Sequence, residues 1–465
     1  MARPASDKFK SVAVYSGASV LTAAMLSYAW YQFPNLLSSR VKVSKDKVCD
    51  FEEKPEKSAR ALKHLLQENH SIFAVIYHNL EFHNHMPHVL GSAYILGSSP
   101  DHLKEIFKVE SETLEPWTDS PGEITEDNWR QFWGNKHYQR AYMDFFEDQL
   151  AALGNDWKKL VEKFLLSGKE PLVNNLICGL GHPLIHLHYA YELSSKTLAP
   201  EALTLSACFH NSMHVYLDDP SYTKPPVKPT EDPMVIIKDV YHDKRFDDVF
   251  QTSGDTNTYD IFDKREGAVL EFWNNLVIKD PTELFKKCQR LAVALVVATH
   301  RPGQKYDFFL VHGLTTSHAV RYLLPEFPAK WHVPIVRQWW LFVIATYISQ
   351  LRPEIDLDRI EKFDRQGQGW DFVVQQALEG HWRNDAHYVK GKCLGRKCCE
   401  PDTDRETALR AMKSAAETWG DEEFYLKAAV KFATEFGGWG GFGVVDQNAD
   451  KRILENRGDA DWKTQ

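Results

Sequence analysis

From Ser58 onward, apolar residues recur every three or four positions in stretch after stretch, separated by short polar breaks. That spacing lines one face of a helix. "SARALKHLLQENHSIFAVIYHNL" is the first such stretch. "NHMPHVLGSAYILG" follows, with Asn84 as a candidate N-cap and Pro87 in the first turn, where proline is tolerated. "SSPDHLKEIFKVE" opens another helix, capped by Ser99 or Asp101. "DNWRQFWGNKHYQRAYMDFFEDQLAAL" is amphipathic and rich in aromatic residues, and 171–193 and 199–217 read as two further helices. The pattern breaks over 218–256, where "DDPSYTKPPVKPTEDP" reads as a surface excursion. Helical spacing resumes at "EGAVLEFWNNLVI" and continues through "PTELFKKCQRLAVALVVATH", "YDFFLVHGLTTSHAVRYLL", "WHVPIVRQWWLFVIATYISQL", "WDFVVQQALEG" and "RETALRAMKSAAETWGDEEFYLKAAVKFATEF". Strict alternation of apolar and polar residues is scarce, and no fixed-period repeat is visible. The expected fold class is mainly α, a single large multi-helix domain over 46–465, preceded by an apolar arm over 1–45.

The arm changes the picture. From Ser11 to Ser39 no charged residue occurs, which is long enough for a membrane-spanning helix of roughly 20 residues. Trp30 and Tyr31 sit near one end, as interfacial aromatics do, although Ser, Ala, Gly and Thr make the stretch weakly apolar. Arg40, Lys42, Lys45 and Lys47 follow it, and by the positive-inside rule they would keep the main domain on the cytosolic side. Two localisations stay open: cytoplasmic, or anchored through 11–39 with the catalytic domain facing the cytosol. The net charge of −9 argues against nucleic acid as a partner, which wants a basic face. Seven cysteines in a chain of 465 residues, odd in number and irregularly spaced, do not form a disulfide framework. "KCLGRKCC" lacks the second paired element of a zinc loop.

Polar groups inside apolar helices carry the chemical information, because burying them costs free energy unless they are satisfied. Four segments share this feature. They hold His83, His85 and His88; His182, His186, His188 and Glu192; Asp307, His312 and His318; and Asp385, His387 and Lys390. Residues three or four apart share a helix face, so each segment can aim one or two donors into a common cavity, as helical bundles do when they build metal sites. Neutral imidazole suits iron, zinc, copper and nickel. A single helical histidine is more often a core or surface residue than a ligand, and no compact signature such as HExxH is present. The glycine-rich "GQGWD" and "GGWGGFG" do not lead from a strand into a helix, so neither is read as a phosphate site.

"FHNHMPHVLGSAYILGSSP", "GHPLIHLHYAYE", "FDDVF", "RPGQKYDFFLVHGLTTSHAV" and "DAHYVKG", in this order, resemble the questin oxidase-like proteins of fungi. The resemblance runs from about Arg60 to the C-terminal region; the apolar arm and "KCLGRKCC" lie outside it. More distant bacterial relatives share an Asn-His pair, the histidine that opens the second motif, a His-x-x-Thr run and a His-x-x-Lys run. The resemblance therefore implies His85, His182, His312, His387 and Lys390 as metal ligands around a mononuclear non-haem iron, Fe(2+), buried between helices. It further implies an oxygenase acting with dioxygen on a polycyclic aromatic polyketide, by Baeyer–Villiger-type ring opening of an anthraquinone. No dinucleotide fingerprint is present, which argues against a flavin and leaves NADPH open as an external reductant. A protonated Lys390 cannot ligate a cation. Burial and a nearby metal depress a lysine pKa, and the neutral amine can add carbon dioxide to become a carbamate ligand, a carboxylated lysine. His186, one turn beyond His182, is a candidate catalytic base or a partner that orients a ligand. The aromatics of "NWRQFWGNKHY" are candidates for covering a flat substrate. Two other readings use the same residues: a zinc-dependent hydrolase with the same histidine cage, and an inactive membrane-tethered binding protein.

Overall fold

A computed structural model of the chain describes residues 40–45, 48–254, 256–383 and 404–442. The apolar stretch 11–39, His387, Lys390 and "KCLGRKCC" lie outside the described residues. The architecture is mainly α, as the periodicity predicts. The helices that frame the core are α1 (Lys57–Ile72), α2 (Met86–Ile95), α3 (Gln139–Ala152), α4 (His182–Glu192), α5 (Leu198–Cys208), α6 (Asn257–Asn275), α7 (Pro281–Val297), α8 (Phe308–Leu323), α9 (His332–Ser349), α10 (Asp404–Trp419) and α11 (Glu422–Glu435). Among the described residues, none is long and apolar enough to cross a membrane.

Three of these helices are buried on every side. All residues of α4, α5 and α8 are buried. A helix apolar all round belongs in the interior, and here α8 packs against α4, α7, α9 and α10 while α4 packs against α5. Helix starts are fixed by side chains that satisfy the first free backbone N–H groups. Ser99 Oγ accepts from the His102 N–H at 3.2 Å, as expected from sequence. Asp280 Oδ1 accepts from Thr282 and Glu283 at the start of α7. Asp307 Oδ1 accepts from Phe309 and Leu310, each at 2.9 Å, at the start of α8. Asp307 is therefore the cap of α8. Burial raises its carboxyl to about 7, against the pull of those two N–H groups.

Two short β pairs tie the helices at their ends. Ile76–Tyr77 (β1) runs antiparallel to Phe82–His83 (β2), and Tyr306–Asp307 (β3) runs parallel to Trp439–Gly440 (β4). The second pair brings the segment after α11 against the start of α8.

The single helix expected over 171–193 is broken. Two 3-10 turns, Leu172–Asn175 and Gly179–Gly181, precede α4. Gly179, Leu180 and Gly181 have φ of 56°, 55° and 78°, a left-handed run that no α-helix contains. The stretch 199–217 likewise ends its first helix at Cys208. The excursion over 218–256 contains a helix, Pro233–His242, whose Ile236, Ile237 and Val240 are buried. The aromatic-rich stretch becomes α-helical only at Gln139, after a 3-10 turn over Lys136–Tyr138.

Across the core, Arg410 Nη2 on α10 meets Glu192 Oε1 on α4 at 2.5 Å, and its Nη1 donates to Ser92 Oγ on α2 and Tyr189 Oη on α4 at 3.1 and 3.2 Å. Both charged side chains are under 10% exposed. Removing one partner of such a buried pair leaves the other charge uncompensated, which costs about 3–5 kcal/mol. Arg410→Ala is expected to lower the unfolding free energy by that order in chemical denaturation; a change under about 1 kcal/mol contradicts this reading of the pair.

Candidate metal centre

Two strained segments deliver the first imidazoles. Between β1 and β2, His78, Asn79 and Leu80 all adopt positive φ, 52°, 57° and 64°. External bonds hold this turn: Lys136 Nζ donates to the Leu80 carbonyl at 3.0 Å, and the His78 N–H donates to Glu115 Oε2 at 3.1 Å. The turn returns the chain as β2 into Asn84 and His85. Asn84 Oδ1 accepts from the Met86 N–H at 3.0 Å, so Asn84 caps α2 from one residue further out than a regular N-cap. His85 holds the N-cap position without capping, and its ring turns to the interior.

The left-handed run Gly179–Gly181 sets the next one. A Cβ at Gly181 would come within 2.3 Å of Thr316 Cγ2, and one at Gly179 within 2.9 Å of His83 Nε2. Only glycine lets these backbones approach. The turn delivers His182 as the first residue of α4, with its Nδ1–H donating to the Gly179 carbonyl at 2.6 Å. On α8, His312 Nδ1–H donates to the Phe308 carbonyl at 2.8 Å. A carbonyl can only accept, so both rings carry their proton on Nδ1 and present the Nε2 lone pair.

The rings meet around His182. His85 Nε2 lies 2.7 Å from His182 Nε2. The His312 ring centroid is 5.1 Å from that of His182, and the His83 ring stacks on His182 at 3.6 Å. Burial lowers His182 well below the ordinary imidazole range, and the neighbouring His83, His85 and His312 lower it further. Burial holds His83 and His88 down in the same way. Neutral imidazole is the form that binds a cation. Two imidazole nitrogens on one ion, with bonds of about 2.1 Å, stand roughly 3 Å apart when they are neighbours. His85 and His182 are close to that spacing, so these residues fit a metal ion. His85, His182 and His312 are thus gathered from three parts of the chain, whereas His387 and Lys390 fall outside the described residues.

A second group lies deeper along the same two helices. His188 and His318 each follow a gathered histidine by six residues, about 9 Å along a helix. Among the described residues, the donors of His188, Glu192 and His318 all come within 4.8 Å of one another, a spacing that suits a metal ion. Two histidines and one carboxylate form the donor set of many non-haem iron sites. The sequence places His188, Glu192 and His318 in two of the four histidine segments but does not join these three. Glu192 is already paired with Arg410. Burial would raise its carboxyl, but that guanidinium and then His188 hold it well below the usual carboxylate range. A fixed cation against the one carboxylate opposes a divalent ion there.

His186 sits between the two groups. Its Nε2 is 2.6 Å from Glu201 Oε2, and its Nδ1 is 3.2 Å from His88 Nε2. Glu201 Oε1 in turn lies 2.6 Å from His70 Nδ1, and His70 Nε2 lies 2.7 Å from Glu147 Oε1. His70, Glu147 and Glu201 were not foreseen from sequence. Burial alone would push His70 down, but hydrogen bonds and charge from Glu147 and Glu201 raise it to about 10. Glu201, which burial would raise, is held at about 2 by His186 and His70. Trp129, expected to cover a substrate, instead packs against Phe145, Phe146 and Phe164 in the core.

Residues 82–391 match the family model described as questin oxidase-like. A questin oxidase of Aspergillus fumigatus is 25% identical over 369 residues, covering 72% of this chain and 80% of that protein. A Baeyer-Villiger oxidase of Pestalotiopsis microspora is 23% identical over 401 residues, covering 78% and 87%. The oxidoreductase AflY of Aspergillus parasiticus is 25% identical over 393 residues, covering 74% of each.

The His70 carboxylate bridge has a pH signature. Its raised folded pKa contributes stability that is complete below the unfolded value of about 6.5 and is lost as pH rises through about 10. The lowered Glu201 contributes above its unfolded value of about 4.5, and that part is lost as pH falls toward about 2. His70→Gln is therefore expected to be less stable than wild type at pH 6–7, with the gap narrowing as pH rises from about 6.5 to about 10. Thermal melts across this range check it; a pH-independent gap contradicts the charged bridge.

Proposed function

Because the chain belongs to the questin oxidase-like family, we propose that it is an oxygenase for Baeyer–Villiger-type oxidative ring cleavage of a hydroxylated, anthraquinone-like polyketide. The observation that supports it is that His85 and His182, 97 positions apart, meet nitrogen to nitrogen at 2.7 Å with the His312 ring 5.1 Å from His182, while backbone carbonyls hold the His182 and His312 protons on Nδ1. His85, His182 and His312, with His387 and carboxylated Lys390, would hold Fe(2+). Bound iron would supply the redox chemistry that lets dioxygen react with an aromatic ring.

The chain's own residues do the rest. The Gly179 and Phe308 carbonyls fix the tautomer and rotation of His182 and His312. Phe308, edge-on to His312 at 4.8 Å, is itself backed by Trp439 and Phe442, so this side of the centre is apolar. Exclusion of water strengthens every electrostatic contact made there. His186 does not face the centre directly as a base. Both of its ring nitrogens are engaged, and it reaches the centre through His88. In the reaction, one oxygen atom of dioxygen would be inserted between a quinone carbonyl and the adjoining ring carbon, replacing that carbon–carbon bond, and the second would leave as water with two electrons and two protons drawn from an external reductant such as NADPH.

Metal analysis with oxygen uptake tests the reading against zinc-dependent hydrolysis by the same cage. Protein purified without chelator is expected to carry about one iron per chain and to consume dioxygen with hydroxylated anthraquinones. His182→Ala and His312→Ala are expected to lose the iron and to lower turnover by about 100-fold or more. Lys390→Ala is expected to lose iron loading and any dependence on bicarbonate. Stoichiometric zinc with no oxygen uptake, or full iron loading of His182→Ala, contradicts the assignment.

A further inference from the structure

Five helices each contribute one side chain to a continuous hydrogen-bonded row: Glu147 from α3, His70 from α1, Glu201 from α5, His186 from α4 and His88 from α2. Its outer end is wet, since the Glu147 side chain is 41% exposed; His70 is 16% exposed, and Glu201 and His186 are 1% exposed. Its inner end is His88, whose ring meets that of His85 edge-on at 5.5 Å and whose Nδ1 is buried with no hydrogen-bond partner among the described residues. The row crosses the wall of the core and stops beside the histidine centre.

We propose that Glu147, His70, Glu201 and His186 form a proton relay between bulk water and the histidine centre, with His88 as its inner end. The proposal rests on reading that centre as the site of reaction. It stands on connectivity: each link is 2.6–3.2 Å, and each residue offers one atom to either neighbour. The protons follow from the partners. A carboxylate only accepts, so His70 donates from both nitrogens and His186 donates from Nε2, which leaves His186 Nδ1 to accept from His88 Nε2–H. For outward transfer, a proton taken up at His88 displaces its Nε2 proton to His186, and the His186 Nε2 proton passes to Glu201. His70 releases its Nε2 proton to Glu147, and water removes it. One proton enters the row for each one that leaves, hydrogen alone moves, and the net charge of the row is unchanged. Exchange of protons between a phenolic substrate and bulk water needs a connected path where the histidine rings are 3% exposed or less.

A structural ion-pair bridge at His70 is the competing account, and the two differ in what they control. Glu147→Gln changes only the exposed end and leaves the buried pair His186–Glu201 in place. In full-length, iron-loaded protein assayed with a hydroxylated anthraquinone, Glu147→Gln and His70→Gln are expected to melt cooperatively. Each should show turnover reduced about tenfold or more. Turnover of these variants should rise with added imidazole buffer, to which wild type is indifferent. In protein labelled with 15N-histidine, Glu147→Gln is expected to shift the ring resonances of His186 as well as those of His70, with or without iron. Folded variants with wild-type turnover and no buffer dependence overturn the relay, and so does a His186 ring that does not respond to Glu147→Gln. If wild type consumes no dioxygen with these substrates, the proposed function fails, while the resonance experiment still decides whether the row is one connected unit.

Discussion

Imidazole inside an apolar helix core is the constraint on which this structure depends. Eight histidines, His83, His85, His88, His182, His186, His188, His312 and His318, are 3% exposed or less. An unsatisfied buried polar group costs about 1–3 kcal/mol, so a chain that buries this many must give them partners. Carbonyls serve the outer nitrogens of His182 and His312, and Glu201 serves His186. The lone pairs that remain around His182 are what a metal ion would use. The strained turns at 78–80 and 179–181 make sense in these terms. Each pays in backbone conformation to place one ring where an ordinary helix start would not.

The interior is organised in layers along α4 and α8. His182 and His312 mark the first layer, and His188 and His318 mark another about 9 Å further on. The first has neutral donors, with apolar Phe308 against it. The deeper one is built around the Arg410–Glu192 pair, which joins α10 to α4 and, through Ser92, to α2. Similar residue types thus meet different neighbours: neutral imidazoles beside apolar Phe308 in one layer, and His188 and His318 beside the Arg410–Glu192 pair in the other. Between them, the row from His88 to Glu147 leads out of the core toward solvent.

The helical character was legible because apolar spacing dominates segments such as 308–323 and 332–349. The helix start was legible at Ser99, which precedes an apolar run, whereas the caps at Asp280 and Asp307 emerged only from their contacts. The break before His182 was not, because Gly-Leu-Gly reads as a weak helix until its left-handed conformation and the close approach of Thr316 are seen. His85, His182 and His312 stood out as polar residues in apolar surroundings, and the family resemblance singled them out from their neighbours. Glu201 resembles an ordinary first-turn acid, and His70 and Glu147 lie on amphipathic helices where polar residues are expected. Their meaning comes only from contacts across 77 and 131 positions. Asn84 was foreseen as the cap of its helix, but not that it would cap from one residue further out and leave the His85 ring to turn inward.

The most direct measurement of the central claim is an anomalous-scattering map at the iron edge from crystals of the iron-loaded protein. A single peak within bonding distance of His85, His182 and His312 Nε2 is the predicted result. A peak at His188, Glu192 and His318, or no ordered iron among the histidines, would contradict it.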